Sequence, residues 1–333
     1  MSNLALSRLE RVYMASDSAF GTIPSFGNTN CVRHIKVDLK NEIATLVRRD
    51  KTGSRTATIG VRGRSHGTWS YEGSLAPSGT PGTAPDFEPL LVALYGGAPT
   101  VGGTRVYGPF VDQPITTFSL ASYRQPSTLN QKIAFGCVPN EITFNLGQDI
   151  AEFSASGECK FVLESDYFSS ASTDEKGGLG AFPAEPGSPV THGGIIAGFT
   201  GSVLIGGASQ TRIRTAQVKI NNGADLVKDT FGFYLPTDTE GDIRVVTVSF
   251  TLYEDDSAGQ EAIRTATITK TPLDVDLTLG TNSGSIFDMF LKNVQLQAYT
   301  SDDSARRYSL TIPDSRAFGT SITSRDEVTI TIS

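Results

Sequence analysis

The chain has 333 residues and a formal net charge of −7 at pH 7, with 28 Lys and Arg residues against 35 Asp and Glu residues. This acidic balance argues against a dedicated nucleic-acid binder, which normally carries a basic footprint. The length allows one large core or two ordinary ones, and the 34 glycines and 16 prolines are typical of many turns between short strands.

The N-terminal residues predict no signal peptide, because Arg8, Glu10 and Arg11 interrupt the stretch that would have to be apolar. We also expect no membrane span, since the longest uncharged stretch, around Ile195–Gly207, is short and broken by glycines.

The three cysteines, Cys31, Cys137 and Cys159, are widely spaced and form no CxxC pair. An odd number without a disulfide framework predicts buried free thiols in a protein made in a reducing cytoplasm.

The first third of the chain predicts strands followed by one short helix. Val32–Asp50 has the pattern of an alternating strand, a turn and a second apolar stretch. In the next strand, Trp69 and Tyr71 share one face, as in a half-buried strand. A capping-box spacing from Thr83 then predicts a helix over Asp86–Tyr95, which the two following glycines end.

The second half repeats this order of elements at an offset of about 181 residues. Ile213–Asp229 predicts a strand, an Asn-Asn-Gly turn and another strand, and Ile243–Tyr253 predicts a further alternating strand. Ser257 is expected to open a weaker helix. The pattern indicates an internal duplication, although β-rich chains can also resemble themselves by chance.

Paired strands are expected after each helix. The first pair is Asn140–Leu146 with Glu158–Leu163, the second is Val294–Tyr299 with Tyr308–Ile312, and Val328–Ile332 closes the chain. The composition between the halves is that of a linker or long loop. The expected divisions are 1–29, an N-terminal arm; 30–168, a first β domain; 169–194, the linker; and 195–333, a second β domain.

Charge is distributed unevenly along the chain. Residues 1–170 hold 15 basic and 15 acidic side chains, whereas residues 171–333 hold 13 basic and 20 acidic ones. Within the balanced half, Arg33–Arg64 is basic, with nine Lys and Arg residues. Because carboxylates repel phosphates, the acidic excess of the second half argues against tight binding to nucleic acid.

No pattern predicts catalysis, a metal or a cofactor. Gly63–Gly67 matches G-x-S-x-G, but a nucleophile elbow needs a strand, a turn and a helix, and here a strand follows. The three histidines, His34, His66 and His192, have no metal-ligand spacing. Asp274–Gly280 resembles the start of a calcium loop but lacks the later acidic ligand, so we interpret it as a strand. Trp69 is interpreted as a core residue rather than a stacking platform.

Several motifs resemble those of the tail tube proteins of long-tailed bacteriophages. They are Leu9–Tyr13 with Phe20–Thr22, TGSRTATIGVRGRSHGTWSYEG followed by PSGTPGTAPDFEPLLVALYGG, and, further on, VKINNG and IRVVTVSFTLYEDD. The resemblance implies an all-β fold with one or two short helices, in which duplicated tail-tube sandwich or barrel domains carry long hairpin arms. It also implies a non-enzymatic structural virion protein, made in the bacterial cytoplasm, whose stacked rings form a hollow tube for double-stranded DNA.

Tail tubes of this family are generally six-fold, so a chain with two tube domains would complete the ring as a trimer with pseudo-six-fold symmetry. Inner strands of neighbouring domains would pair edge to edge into a continuous barrel, which satisfies otherwise exposed edges. By the same resemblance, the partners are other copies of the chain, a tape-measure protein, and terminator and distal tail tip proteins. DNA would pass without specific binding.

The long hairpin arms, Lys40–His66 and Asn221–Asp242, are expected to reach between rings. Opposite charge clustering suggests that basic residues of the first arm meet acidic residues of the next ring. The basic residues are Arg48, Arg49, Lys51, Arg55, Arg62 and Arg64, and the acidic ones are Asp238, Glu240, Asp242, Glu254, Asp255 and Asp256. The alternative is a solvated charged loop.

Two other classes of function remain open from the sequence. A β-sandwich virion module that binds a receptor or glycan would carry exposed aromatic residues clustered in a groove, and a β-rich hydrolase would cluster His, Asp and Glu around Ser65. Fold alone does not separate these classes, because function depends on the site and the assembly surface.

Overall fold

The computed structural model describes residues 7–47, 60–124, 131–147, 149–164, 184–191, 193–210, 212–303 and 306–333. Within these ranges the protein is mostly β-sheet, with two α-helices, α1 (Glu88–Tyr95) and α2 (Ala258–Thr269). The strands are β1 Arg11–Ser16, β2 Cys31–Val32, β3 Lys36–Leu46, β4 Val61–Ser74, β5 Thr100–Val101, β6 Arg105–Tyr107, β7 Phe118–Tyr123, β8 Lys132–Leu146, β9 Glu152–Cys159, β10 Phe161–Glu164, β11 Ser202–Ile205, β12 Ala208–Ser209, β13 Ile213–Asn221, β14 Ala224–Val227, β15 Asp238–Gly241, β16 Val245–Tyr253, β17 Leu273–Leu279, β18 Phe287–Val294, β19 Thr300–Asp302, β20 Ser309–Ala317 and β21 Val328–Ile332.

A large antiparallel sheet forms the centre of the described structure. Its strands follow the order β3-β4-β9-β8-β13-β16-β20-β19. The long strand β8 belongs to this path through its second half, while its first half pairs with β7 and β10, and β7 leads on to β1 and β2. Gly136 lies near the end of this first half. Its φ of +64° is a backbone conformation that favours glycine. We refer to the eight-strand path as the main sheet.

A second sheet, in the order β12-β11-β17-β18-β21-β6-β5, lies against the main sheet. Strict alternation places one face of each sheet in the shared core, as β16 illustrates with Val246, Val248, Phe250 and Leu252 all buried. The same cluster includes Met289 from the second sheet. The architecture is therefore a two-layer sandwich with a branch from β8.

Both helix predictions are confirmed, with one correction at a helix start. α1 begins at Glu88 after Phe87 rather than at Asp86, and the expected capping box does not form. The helix ends, as predicted, at Gly96 in the left-handed conformation, whose N–H donates to the carbonyl of Val92. The α1 side chains Leu90, Leu91, Leu94 and Tyr95 are buried. Ser257 caps α2 by accepting from the Gln260 N–H.

The predicted pairing of strands after each helix is wrong. Parts of the predicted segments are strands, but they pair with other strands than those expected. Asn140–Leu146 pairs with the earlier part of β9, from Glu152 onward, and the later segment β10 pairs with the first half of β8. A bend at Lys160 separates β9 from β10 and directs them to different stretches of the same strand. In the second pair, β18 ends at Val294, and β20 pairs with β16 and β19 instead.

The first strand-turn-strand prediction is also wrong, because β3 continues without a turn through Lys36–Leu46 and pairs with β4. The corresponding prediction in the second half is confirmed: β13 ends at Asn221, Gly223 has φ +61° and β14 follows. The closing strand Val328–Ile332 is confirmed at both boundaries.

Strands from the two halves of the chain share both sheets. β8 pairs with β13 in the main sheet, and β6 pairs with β21 in the second sheet. The predicted boundaries at 29, 168 and 194 remain predictions, and most of the expected linker lies outside the described residues. Its described end contacts β1, where Glu185 accepts from the Arg11 guanidinium at 3.0 Å.

Candidate assembly surface

Strand register defines two ends of the main sheet. At one end, the β3–β4 hairpin extends as far as the Leu46–Val61 pair, and Asn221 pairs with Val245. At the other end lie Leu146, the start of β13 and the end of β16 at Tyr253. Because both hairpin arms leave the sheet at the first end, we call it the arm end and the other the far end.

The first arm is a β-hairpin whose outermost part lies outside the described residues, together with Arg48, Arg49, Lys51 and Arg55. Two of its predicted basic residues are described. Arg62 lies 5.8 Å from the ring centre of Tyr234, and Arg64 donates to the backbone carbonyl of Asp229 at 2.9 Å. Both therefore contact the second arm of the same chain.

The second arm folds back onto the sheet instead of projecting freely. β14 pairs with β15, and Ala224 and Leu226 are buried against Val138 of β8. The carbonyl of Tyr234 accepts from the Ser65 N–H at 2.9 Å, and Leu235 joins a second apolar cluster on the branch. The apolar side chains of this arm therefore fix its position.

A charged cluster fixes the base of the second arm. Lys228 Nζ lies 2.5 Å from Glu158 Oε2 and 3.1 Å from Asp225 Oδ1, and His66 Nε2 lies 3.6 Å from Glu158. Burial, reinforced by Asp225, raises the pKa of Glu158 to about 7 despite the nearby lysine. Burial, reinforced by Lys228, lowers the pKa of His66. We call Glu158, Asp225, Lys228 and His66 the arm-base cluster.

The acidic residues predicted for the inter-ring contact fall at both ends. Asp238 and Glu240 lie on β15 with Asp242 just beyond it, at the arm end. The other three follow β16 at the far end, where Glu254 pairs with Arg264 at 2.6 Å and Asp255 pairs with Arg212 at 2.8 Å. Asp256 is exposed.

One face of the main sheet is polar. It lies opposite the apolar core, and short hydroxyl and amide side chains dominate it. Gln217 donates to Asn145 at 2.7 Å, and Lys219 pairs with Glu141 at 2.8 Å across neighbouring strands. Its neutral members are Thr68, Ser70, Thr143, Asn145, Ser154, Ser156, Thr215, Gln217, Thr247, Ser249, Thr251 and Thr311.

The G-x-S-x-G motif lies inside β4, so the expectation that it is not a nucleophile elbow is confirmed. Ser65 is buried, with 2% of its surface exposed, and strand residues precede and follow it. Trp69 is buried, edge-on to Phe118 at 5.1 Å, and its Nε1–H donates to the Glu158 carbonyl at 3.0 Å. It is a core residue, as predicted. His34 is far along the chain from His66, and His192 lies outside the described residues.

The suspected calcium segment is the strand β17, as predicted. Asp274 accepts from Lys292 and from the Asn293 N–H. On the facing strand, burial and then Asp276 raise the pKa of Asp288 to about 7. Among the described residues, no group of three or more His, Cys, Asp and Glu is arranged to hold a metal ion.

The three cysteines are free and buried, as predicted. Sequence reasoning missed the arm-base cluster, in which Glu158 and Lys228 are 70 residues apart in the chain, and it did not identify the polar face. The alternating Thr and Ser of VTVSFT in β16 was the available signal for that face.

The main sheet ends in two strands, β3 and β19, each of which has one strand neighbour among the described residues. Open edges combined with two chemically different ends are features of a subunit that associates with further copies of itself. A family model for phage tail tube proteins matches residues 8–333, and the chain belongs to this family. It is thus a structural protein of the phage virion tail.

A comparison with curated proteins gives no match. Neither of the helices in the described part of the chain is long and apolar enough to span a membrane.

Proposed function

We propose that the chain polymerises as stacked rings into the hollow tail tube through which double-stranded DNA passes. The observation that carries this proposal is the main sheet: eight strands with two open edges, an apolar face in the core and a polar face opposite. A sheet of this kind closes into a tube wall when the β3 edge of one copy pairs with the β19 edge of the next.

Ring size follows from the number of strands each chain supplies. If the two predicted domains count as two positions of a six-fold ring, three chains complete it and contribute roughly 24 strands. Barrels of 16–18 strands already enclose an aqueous channel, so this ring leaves an open bore. The proposed trimer depends on the division of the chain into two domains, because a chain with a single domain would give a ring of six chains.

The polar face is the surface that suits the bore. Most of its side chains are uncharged. Lys219 pairs with Glu141 and Lys40 with Asp38, while Lys36 lies opposite Glu72 and Arg316 lies opposite Thr247. Glu72 and Glu152 are exposed on β4 and β9. A wall with few charges, whose cations are mostly matched by carboxylates, lets phosphates pass because it provides few sites at which counterions would be displaced.

Stacking of rings brings the arm end of one ring to the far end of the next. The far-end acids Glu254, Asp255 and Asp256 can then meet the basic first arm of the adjacent ring. Asp238, Glu240 and Asp242 lie at the arm end, so for these three a contact within the ring fits the placement better. A tape-measure protein in the growing tube, and terminator and distal tip proteins at its ends, complete the proposed partners.

The test is assembly of the purified chain at rising concentration, followed by negative-stain electron microscopy and native mass spectrometry of the smallest closed particle. Hollow tubes and a particle of three chains support the proposal. A discrete closed oligomer that never extends contradicts it and favours a virion binding module.

A further inference from the structure

A groove opens at the far end, between the two sheets. It has a volume of about 610 Å³ and is bounded by the ends of β8 and β13 on one side and by β11 and β17 on the other. Its apolar wall includes Leu146, Ile213, Leu277 and Leu279, and Phe199 stands at its rim with 80% of its surface exposed. The lining also includes the polar residues Asp149, Ser202, Ser209, Gln210 and Arg214, so the groove offers a mixed apolar and polar contact surface.

The arm end carries an apolar tip of matching chemistry. In the loop between β14 and β15, Phe231 is 97% exposed and Phe233 is 60% exposed, on either side of Gly232 with φ +88°. The loop is not free to move away, because Tyr234 and Leu235 beside it are held by Ser65 and the second apolar cluster. The two phenyl rings are therefore presented to solvent by a fixed support.

Charge complementarity accompanies the apolar match. Asp229, exposed and two residues before Phe231, precedes the tip, and Arg214 lines the groove with its side chain exposed. Strand register places Arg214 near the start of β13, at the far end, whereas the tip follows the opposite end of the same strand. One molecule therefore cannot bring the two together, but two molecules stacked head to tail can.

We propose that the Phe231-Gly232-Phe233 tip of one copy inserts into the far-end groove of a copy in the adjacent ring, with Asp229 facing Arg214. The inference rests on the proposed tube, and it names a contact between rings that the charged first arm does not provide. The proposed contact places the two phenyl rings against the apolar residues of a mixed groove and Asp229 against Arg214 beside them, a combination of apolar and charged contacts that is usual in protein–protein interfaces.

Cross-linking in assembled tubes tests the contact directly. Two double variants each place one thiol on the tip and one at the groove: Phe231→Cys with Ser202→Cys, and Phe231→Cys with Ser209→Cys. The three native cysteines are buried, so the introduced thiols are the ones exposed to the reagent. A short bismaleimide is expected to link chains into ladders in tubes and not in unassembled protein. Intact tubes without a ladder from either pair overturn the proposal.

The variant pair Leu4→Cys with Ser202→Cys tests whether the N-terminal segment Met1–Leu6, instead of the Phe231 tip, binds in the groove. A ladder from this pair in place of the Phe231 pairs also overturns the proposal. If the unmodified protein forms no tubes at all, the proposed function fails, and this outcome is distinct from tubes that form without the cross-link.

Substitution provides the second test. Phe231→Ser combined with Phe233→Ser is expected to raise the critical concentration for tube growth by about tenfold or more, while the melting temperature of the unassembled protein stays unchanged. The matched control is Ile268→Ser, which removes a similarly exposed apolar side chain on α2, away from the tip and groove. An equal effect of both variants overturns the proposal.

Charge reversal distinguishes a pairwise contact from a general surface effect. Arg214→Glu and Asp229→Lys are each expected to impair tube growth, and the double variant is expected to restore it. Additive losses in the double variant contradict the Asp229–Arg214 contact.

Discussion

Replacement of Lys228 by methionine tests how the second arm is held to the sheet. Lys228 is the cation of the arm-base cluster and contacts both Glu158 and Asp225. Its loss leaves two carboxylates side by side, one of them in β9, without the lysine between them. The side-chain stem is retained in methionine, so the variant removes charge and little packing.

The size of the expected loss of unfolding free energy follows from how far the Lys228 and Glu158 side chains are buried. Breaking a fully buried ion pair by removing one partner costs about 3–5 kcal/mol. Here the Lys228 side chain keeps 33% of its surface and that of Glu158 keeps 25%. Solvent screening therefore reduces the expected loss of unfolding free energy to about 1–2 kcal/mol at pH 8.

The loss depends on pH in a direction set by Glu158. Its pKa in the folded protein, about 7, lies above the ordinary carboxylate value. The folded state thus binds this proton more tightly, and the associated stability, present at acidic pH, is lost as the pH rises through about 7. Without Lys228 the charged form is still less favourable, so the variant is expected to approach wild type near pH 5 and to differ most at pH 8.

Urea denaturation followed by Trp69 fluorescence is the assay, since this single tryptophan donates to the Glu158 carbonyl and reports on the same strand. Lys219→Met is the matched control, because Lys219 pairs with Glu141 on the open face, where both side chains are about 40% exposed. It is expected to cost about 0.5 kcal/mol or less. Equal losses in the two variants, or a Lys228→Met loss that does not shrink near pH 5, would refute the reasoning.

Three further predictions address the core, the second sheet and the bore. Trp69→Ala is expected to lower the unfolding free energy by about 3–5 kcal/mol in urea titrations, whereas Trp69→Phe costs clearly less; equal losses contradict the core assignment. Asp288→Asn is expected to be about 1 kcal/mol more stable than wild type at pH 8 and no more stable near pH 3, because a folded-state pKa of about 7 removes stability from the wild-type protein as the pH rises from the ordinary aspartate value through about 7. Ser249→Lys, introduced into the phage, is expected to leave tubes intact but slow DNA ejection in a fluorescence assay, and normal ejection would contradict a bore lined by the polar face.

Local patterns predicted which segments are strands and where helices end. Alternation located Trp69 in the core and the closing strand Val328–Ile332, and Gly96 and Ser257 marked helix boundaries. These features depend on neighbouring residues, because side-chain period and cap chemistry act within one element.

Strand partners could not be predicted in the same way. An alternating segment indicates a buried face but does not specify which strand lies beside it, and β8 serves two sets of neighbours through its two halves. The predicted pairing of Glu158–Leu163 failed because the bend at Lys160 divides that segment.

The assembly surface was predicted in part. The basic cluster in the first half and the acidic clusters in the second directed attention to the arms, yet the sequence did not indicate that Asp238 and Glu254 lie at opposite ends of the sheet. The arm-base cluster joins Glu158 to Lys228 across 70 residues, a contact that only the folded topology creates.

Cryo-electron microscopy of tubes grown from the purified chain can show the ring and its bore directly. We expect a hollow tube with three chains in each ring, a continuous β wall joined between β3 and β19, and Thr247, Ser249 and Thr251 facing the bore. A tube whose bore is lined by any other surface, or a ring in which β3 and β19 remain apart, would contradict it.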